Sequence, residues 1–227
     1  MFIRKDNTLK WNWIAYGAVI ALALVLIGIF GLDITIHQDF HPENCNPWSF
    51  GNGFLCSVAV LLGKIFKTKM WLYGSAISVI LFFIYKAITN EYDFRYAFVK
   101  IKNSYVFYVF SSVFMAVLTT GILKGLIGRS RPLLFDALDQ ILFIPGTFEY
   151  AFNSMPSGHT ASSFAGLVMI GMLFPKIKWA TWTLAILIGV SRVYVGAHWF
   201  SDVILGAFIG MVCADIVKSV LKKINSK

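Results

Sequence analysis

Ser191-Arg192-Val193-Tyr194-Val195-Gly196-Ala197-His198-Trp199-Phe200-Ser201-Asp202 sets an arginine, a histidine and an aspartate inside an otherwise apolar region. It joins two long apolar runs, Trp179 to about Val195 and Trp199 to Val220, and so reads as a polar junction between two membrane spans. A helix beginning near His198 places Asp202 on the same face one turn away. From there a carboxylate can hold one imidazole nitrogen, fix the tautomer and leave the other nitrogen free to act. Six residues before the histidine, Arg192 offers a permanent cation whose planar fork suits phosphate or carboxylate.

Outward from this junction the chain stays apolar. Of its 227 residues 58% are hydrophobic and 14% charged, too little charge to cover a soluble domain of this size. The composition points to an all-α integral membrane protein forming a single domain over residues 1–227. The net charge of +9 fits Lys and Arg anchoring cytoplasmic ends. Nucleic acid is not an expected partner, because no basic stripe interleaved with aromatics lies outside the spans. No obligate protein partner is evident either.

The spans follow in order. Trp13 to Leu32 is longer than a signal-peptide core of roughly 7–15 residues and reads as a retained helix. Asp33 to Gly53 holds acids and histidines without Lys or Arg, and so reads as an outward-facing loop. His37 and His41 with Asp33 and Asp39 could suggest a metal, but without a fixed ligand spacing a solvated polar loop is the better reading. Cys45 and Cys56 flank the end of this loop, and their spacing leaves a disulfide open. Cys213 reads as a packed side chain. Phe54 to Phe66 is too short to span and carries Lys64, Lys67 and Lys69 at its end, which suggests a short interfacial helix after the first span. Trp71–Ile88, Tyr105–Ile127, His159–Phe174, Trp179–Val195 and Trp199–Val220 complete a six-transmembrane-helix bundle. Thr89 to Asn103 is an inner loop and Leu133 to Met155 a mixed outer one.

With both termini inside, three polar stretches meet at the outer ends of spans: Lys124 to Arg131-Pro132, Pro156-Ser157-Gly158-His159, and Arg192 to Asp202. Charges at membrane depth are costly and mark sites. Lys124, Arg131 and Arg192 outnumber Asp202, the one acid in these stretches, so an external anion is expected. Ser157, Gly158 and the first amides of a helix add donors for a phosphate. His198, oriented by Asp202, is then the nucleophile and His159 the general acid. Fixed cations can stabilise the transferring group, so no metal and no cofactor are called for.

At these residues the chain resembles the type-two phosphatidic-acid phosphatase superfamily of membrane lipid phosphate phosphatases, whose signature is K-x6-R-P, P-S-G-H and S-R-x5-H-x3-D. All three pieces match in order, and the resemblance covers roughly Tyr105 to the C-terminus. It implies a six-helix bundle in a bacterial inner membrane, an outward-facing site and a phosphohistidine intermediate. His198, His159 and Asp202 would be catalytic, and Lys124, Arg131, Ser157, Gly158 and Arg192 would bind phosphate. It further implies a lipid phosphate or diphosphate as substrate, such as lipid A, undecaprenyl diphosphate, phosphatidylglycerol phosphate or phosphatidic acid. A lipid phosphotransferase, a vanadate-binding oxidoreductase and a non-enzymatic anion-binding protein are the alternatives.

Overall fold

The computed structural model describes residues 8–48, 53–71, 73, 74, 76, 77, 80, 84 and 104–225. Regular structure among them is helical: α1 (Trp11–Ile27), α2 (Asp33–Phe40), α3 (Phe54–Ile65), α4 (Tyr105–Ile127), α5 (Pro132–Leu138), α6 (Gly158–Leu173), α7 (Lys178–Tyr194) and α8 (Phe200–Asn225). The extended pairing among these residues is one isolated bridge between Arg129 and Phe143.

The bundle is organised around α6. Eleven of its 16 residues are buried, from Thr160 to Gly171, as expected of a helix that is apolar all round and enclosed by neighbours. It packs on α4, α7 and α8, and α1 lies against α8. Phe164, Val168 and Met169 of α6 meet Ala185 and Ile188 of α7 and Ala214 of α8 in the principal core.

Among the described residues, three helices are long and apolar enough to cross a membrane: Trp11–Phe40, Tyr105–Ile127 and Phe200–Ile224. Helix α6, at 16 residues, and α7, at 17, rise only about 24–26 Å at 1.5 Å per residue, short of a hydrocarbon core about 30 Å thick. The expected second span and the inner loop after it lie largely outside the described residues.

Two stretches differ from their sequence reading. The first apolar run does not stop at Leu32. A π-helical turn at Gly28–Leu32 carries it into α2, giving 30 continuous residues to Phe40. The supposed solvated loop therefore begins as helix, with Asp33 1% and His37 5% exposed. Their polarity marks partners from distant sequence: Arg129 for Asp33, and Asp136 for His37 at 2.8 Å. The mixed loop after Arg131 likewise contains α5, opened by Pro132 at its first turn, and a 3₁₀ turn at Tyr150–Phe152.

Helix α3 forms where a short helix was expected. Cys56, Ala59, Val60 and Gly63 make its buried face, which packs on α7, while Phe54, Leu55, Leu61 and Ile65 are exposed. Cys45 and Cys56 form a disulfide with a Cα–Cα distance of 5.8 Å, tying the chain after α2 to the start of α3.

Candidate active site

Helix α4 ends at Gly128, whose left-handed φ of 61° is open to a residue without Cβ. A Cβ there would also fall 1.9 Å from the Ile144 carbonyl oxygen. The turn sends Arg129-Ser130-Arg131 across the end of the bundle. Backbone bonds from Ser130 to Leu142 (2.8 Å), Arg131 to Ala151 (2.8 Å) and Ser154 to Arg129 (3.0 Å) hold it there.

The three cations singled out from the sequence come to this end, and each is held by neutral acceptors. Lys124 Nζ donates to the Asn153 and Ser154 carbonyls. Arg131 donates from Nε to the Tyr150 carbonyl (2.9 Å), from Nη1 to that of Ala197 (2.8 Å) and from Nη2 to that of Asn153 (3.1 Å). Its guanidinium also lies 3.9 Å from the Tyr150 ring centroid. Arg192 donates to the Ser191 hydroxyl and the Ala59 carbonyl. Helix α3 can approach it because position 63 is glycine; a Cβ there would lie 1.9 Å from Arg192 Nη1. Carbonyls fix the direction of a cation without cancelling its charge.

The acids lie one layer behind and are paired elsewhere. Arg129, fully buried, places Nη1 2.8 Å from Asp202 Oδ1 and Nη2 2.7 Å from Asp33 Oδ2. Ser154 donates its hydroxyl to Asp202. Asp33 was not foreseen as part of the site; its signal was an acid at the edge of an apolar run. Arg129 stood inside the basic stretch all along.

Asp202 sits close to His198, but not as one helix turn would place it. Helix α8 starts at Phe200, so His198 precedes it. Asp202 Oδ2 accepts the Trp199 N–H at 3.0 Å, the reach-back of a third-position acid at a helix start. His198 Nδ1 is 3.7 Å from Asp202 Oδ2, too long for a hydrogen bond, and makes none. The carboxylate nevertheless lies on the Nδ1 side, while Arg131 Nη1 lies 3.4 Å from Nε2. Burial, then the Arg131 charge, pushes the His198 pKa well below 6.5, with Asp202 opposing.

Ser157 caps α6, its hydroxyl accepting from the Thr160 hydroxyl at 2.9 Å, and its N–H donates to the Asp202 carbonyl at 3.0 Å. This links the second stretch to the third and leaves the N–H groups of Gly158 and His159 at the start of α6 without an intrahelical acceptor. A Cβ at Gly158 would lie 3.7 Å from Lys124 Cε and 3.8 Å from Thr68 Oγ1. Thr68 itself donates to the Gly158 carbonyl at 3.3 Å, so the segment after α3 reaches the site. The His159 ring, half-buried, has no hydrogen-bond partner among the described residues. The charges of Arg192, Arg131, Lys124 and Lys67 all act on it, and those of Arg131 and Lys124 act on His198 as well.

All eight residues singled out from the sequence thus come to one end of the bundle. Arg192 is turned toward α3.

The chain is similar to several known proteins. Lipid A 1-phosphatase of Rhizobium etli is 40% identical over 103 residues, 45% of this chain and 44% of that protein. Undecaprenyl-diphosphatase of Sulfolobus acidocaldarius is 33% identical over 100 residues, 44% of this chain and 47% of that one. The chain spans less than half the length of these curated relatives. The crystal structure of Aquifex aeolicus LpxE aligns over 84% of this chain and 97% of its own at 22% identity, with a TM-score of 0.47. Residues 105–226 match the PAP2 superfamily, which takes in α4 to α8 and all eight residues singled out from the sequence, and the chain belongs to that superfamily.

Proposed function

We propose that this protein is a membrane phosphatase that removes phosphate from a lipid phosphate or diphosphate through a phosphohistidine. The observation that carries the reading is the division of charge. Both buried acids of the site pair with Arg129, while Lys124, Arg131 and Arg192 are held by carbonyls and a hydroxyl. A phosphoryl group is the anion that suits two guanidinium forks and an ammonium.

His198 Nε2, on the Arg131 side, attacks phosphorus as the bond to the leaving oxygen breaks. Its Nδ1–H points to Asp202, which stabilises the charge the ring gains. His159 gives its proton to the leaving oxygen, and the freed alcohol or lipid monophosphate departs. Water then attacks the phosphohistidine, His159 accepts its proton, inorganic phosphate leaves and His198 is restored. Lys124, Arg131, Arg192 and the first amides of α6 stabilise the phosphoryl oxygens throughout. Bound phosphate supplies the counter-charge that lets His159 carry a proton among four cations.

A lipid substrate is favoured by the surroundings. An apolar groove of about 660 Å³, lined by Phe66, Met70, Trp71, Tyr105, Val109 and Phe174 among others, starts in the same segment as Thr68. It extends toward the ends of α4 and α6 farthest from the site, the direction of a hydrocarbon tail. The relatives named for lipid A and undecaprenyl diphosphate supply candidates of this chemistry. Lys218, Lys222 and Lys223 lie in the last turns of α8, at the end opposite the site. Under the positive-inside rule they support a site at the outer face, in a bacterial inner membrane.

The test is phosphate release by purified protein in detergent from lipid A, undecaprenyl diphosphate, phosphatidylglycerol phosphate and phosphatidic acid, with and without chelator. Release from at least one lipid, lost in His198→Ala together with acid-labile phosphoenzyme, is expected. Release that persists in His198→Ala would overturn the mechanism.

A further inference from the structure

Asp33 stands outside the residues that match the superfamily, on the helix that runs from Trp11 to Phe40. It is nonetheless one residue removed from the nucleophile's partner. Its Oδ2 takes Arg129 Nη2 at 2.7 Å, and Arg129 Nη1 takes Asp202 Oδ1 at 2.8 Å. Asp33 Oδ1 also accepts the Ser201 N–H at 2.9 Å, and the Ser201 hydroxyl bridges the same Asp33 and Arg129. All three charged groups are at most 1% exposed. The Arg129 guanidinium is further confined between the rings of Trp199 and Phe143, 5.3 and 5.7 Å from their centroids.

One buried cation between two buried carboxylates has a net charge of −1. With Asp33 absent, the whole of Arg129's charge would fall on Asp202 and the set would be neutral. His198 would then face Arg131 and Lys124 with little to oppose them, and the positive charge developing on the ring during phosphoryl transfer would lose its counter-charge. We infer that Asp33 is a positioning residue for the reaction: by sharing Arg129, it keeps the charge of Asp202 available to His198 and ties the first helix to the turn that carries Asp202. This inference rests on the phosphatase reading above.

The experiment is a charge cycle in the full-length chain, in detergent, with a soluble aryl phosphate and an active lipid: wild type, Asp33→Asn, Arg129→Gln, the double variant, and Arg129→Lys. The charges that act on His198 are those of Arg131, Lys124 and Asp202, with Arg129 and Asp33 behind Asp202; His37 lies beyond Trp199, ring centroids 5.4 Å apart. Removing the negative charge of Asp33 makes protonation of His198 harder, so the acid limb of kcat/KM moves to lower pH. Removing Arg129 makes it easier, and the limb moves up. The double variant restores a charge of −1 and brings the limb back. Its kcat should exceed the product of the two single losses by about tenfold, as expected for coupled neighbours. KM changes little in Asp33→Asn.

A limb that does not move in either single variant, or losses that simply multiply, overturns the inference. If Arg129→Gln does not fold, Arg129→Lys carries the test. It keeps the charge and so keeps the limb near wild type, whereas a shift matching Asp33→Asn would contradict the charge-sharing role. Calorimetric binding of inorganic phosphate across the same pH range reads the same limb without turnover. Wild-type protein that releases no phosphate sinks the phosphatase reading, and the binding limb still reports separately whether Asp33 sets the charge at His198.

Discussion

Arg129 and Arg131 are two residues apart, and both are buried at the same end of the bundle, 0% and 8% exposed. Their surroundings are opposite. Arg129 lies between two carboxylates, its charge more than cancelled. Arg131 lies among three carbonyl oxygens and the face of Tyr150, its direction fixed and its charge retained. A buried charge matched by charge holds a fold in register; one matched only by dipoles is held ready for a mobile counter-ion. A cancelled and an uncancelled buried charge therefore sit inside a single tripeptide.

That difference is broken most directly by replacing each arginine with methionine. Arg129→Met leaves Asp33 and Asp202 buried without their partner, and the cost should be about 3–5 kcal/mol of stability. Arg131→Met removes an uncancelled cation, so its change in stability should be far smaller. Its kcat/KM should fall about 10²–10³-fold, the size of losing one transition-state donor. Unfolding in detergent followed by tryptophan fluorescence, alongside phosphate release, separates the two. Equal destabilisation by both substitutions would erase the distinction.

Gly63 sharpens the comparison for the third arginine. Arg192 is braced by the Ala59 carbonyl because α3 comes close, and Gly63→Ala would put a methyl group 1.9 Å from its Nη1. The guanidinium must swing off its acceptor, and a displacement of that order should lower kcat/KM about tenfold to a hundredfold. Full activity in Gly63→Ala would remove Arg192 from the phosphate-binding set.

The pH dependence follows from the pocket that contains Arg131. His198 has a folded-state pKa well below its unfolded value of 6.5. The unfolded chain therefore binds the extra proton first. The stability this contributes is present above pH 6.5 and is lost as pH falls toward the folded pKa, by about 1.4 kcal/mol per pH unit in that window. The slope should be shallower by that amount in His198→Gln, and the acid limb of kcat/KM in the wild type should lie below pH 6.5. A wild-type limb at or above 6.5 would mean that neither burial nor the Arg131 charge governs the ring.

Much of this was legible in the sequence, for physical reasons that differ by residue. The span from Tyr105 to about Ile127 was legible because nothing interrupts its apolar run until Lys124; Ser104 and Gly128 cap it. The three polar stretches were visible because charges are rare beside spans. Asp33 and His37 were misread because local sequence reports polarity without reporting partners 96 and 99 residues away. The start of α8 was misplaced by two residues because Asp202 closes the helix on Trp199 instead of turning the helix through His198. A local pattern put the carboxylate beside the imidazole; only packing shows that Arg129, Ser154 and Trp199 hold it there.

The smallest expected effect concerns Lys67, an exposed cation set against the buried ones. It follows α3, its neighbour Thr68 is bonded to the Gly158 carbonyl, and its charge acts on His159. An exposed ammonium at the mouth cannot rival a buried guanidinium, since solvent screens it. It can still attract a second anionic group on a large substrate, such as the distal phosphate of a diphosphate or of a bis-phosphorylated lipid. Lys67→Ala should then raise KM about two- to fivefold for such a lipid, the size of one exposed ion pair. It should leave kcat unchanged, spare a small aryl phosphate, and show a difference that shrinks as salt is raised. If the aryl phosphate suffers equally, Lys67 acts on the reacting phosphoryl group itself, and the boundary between mouth and cup must be moved outward to include it.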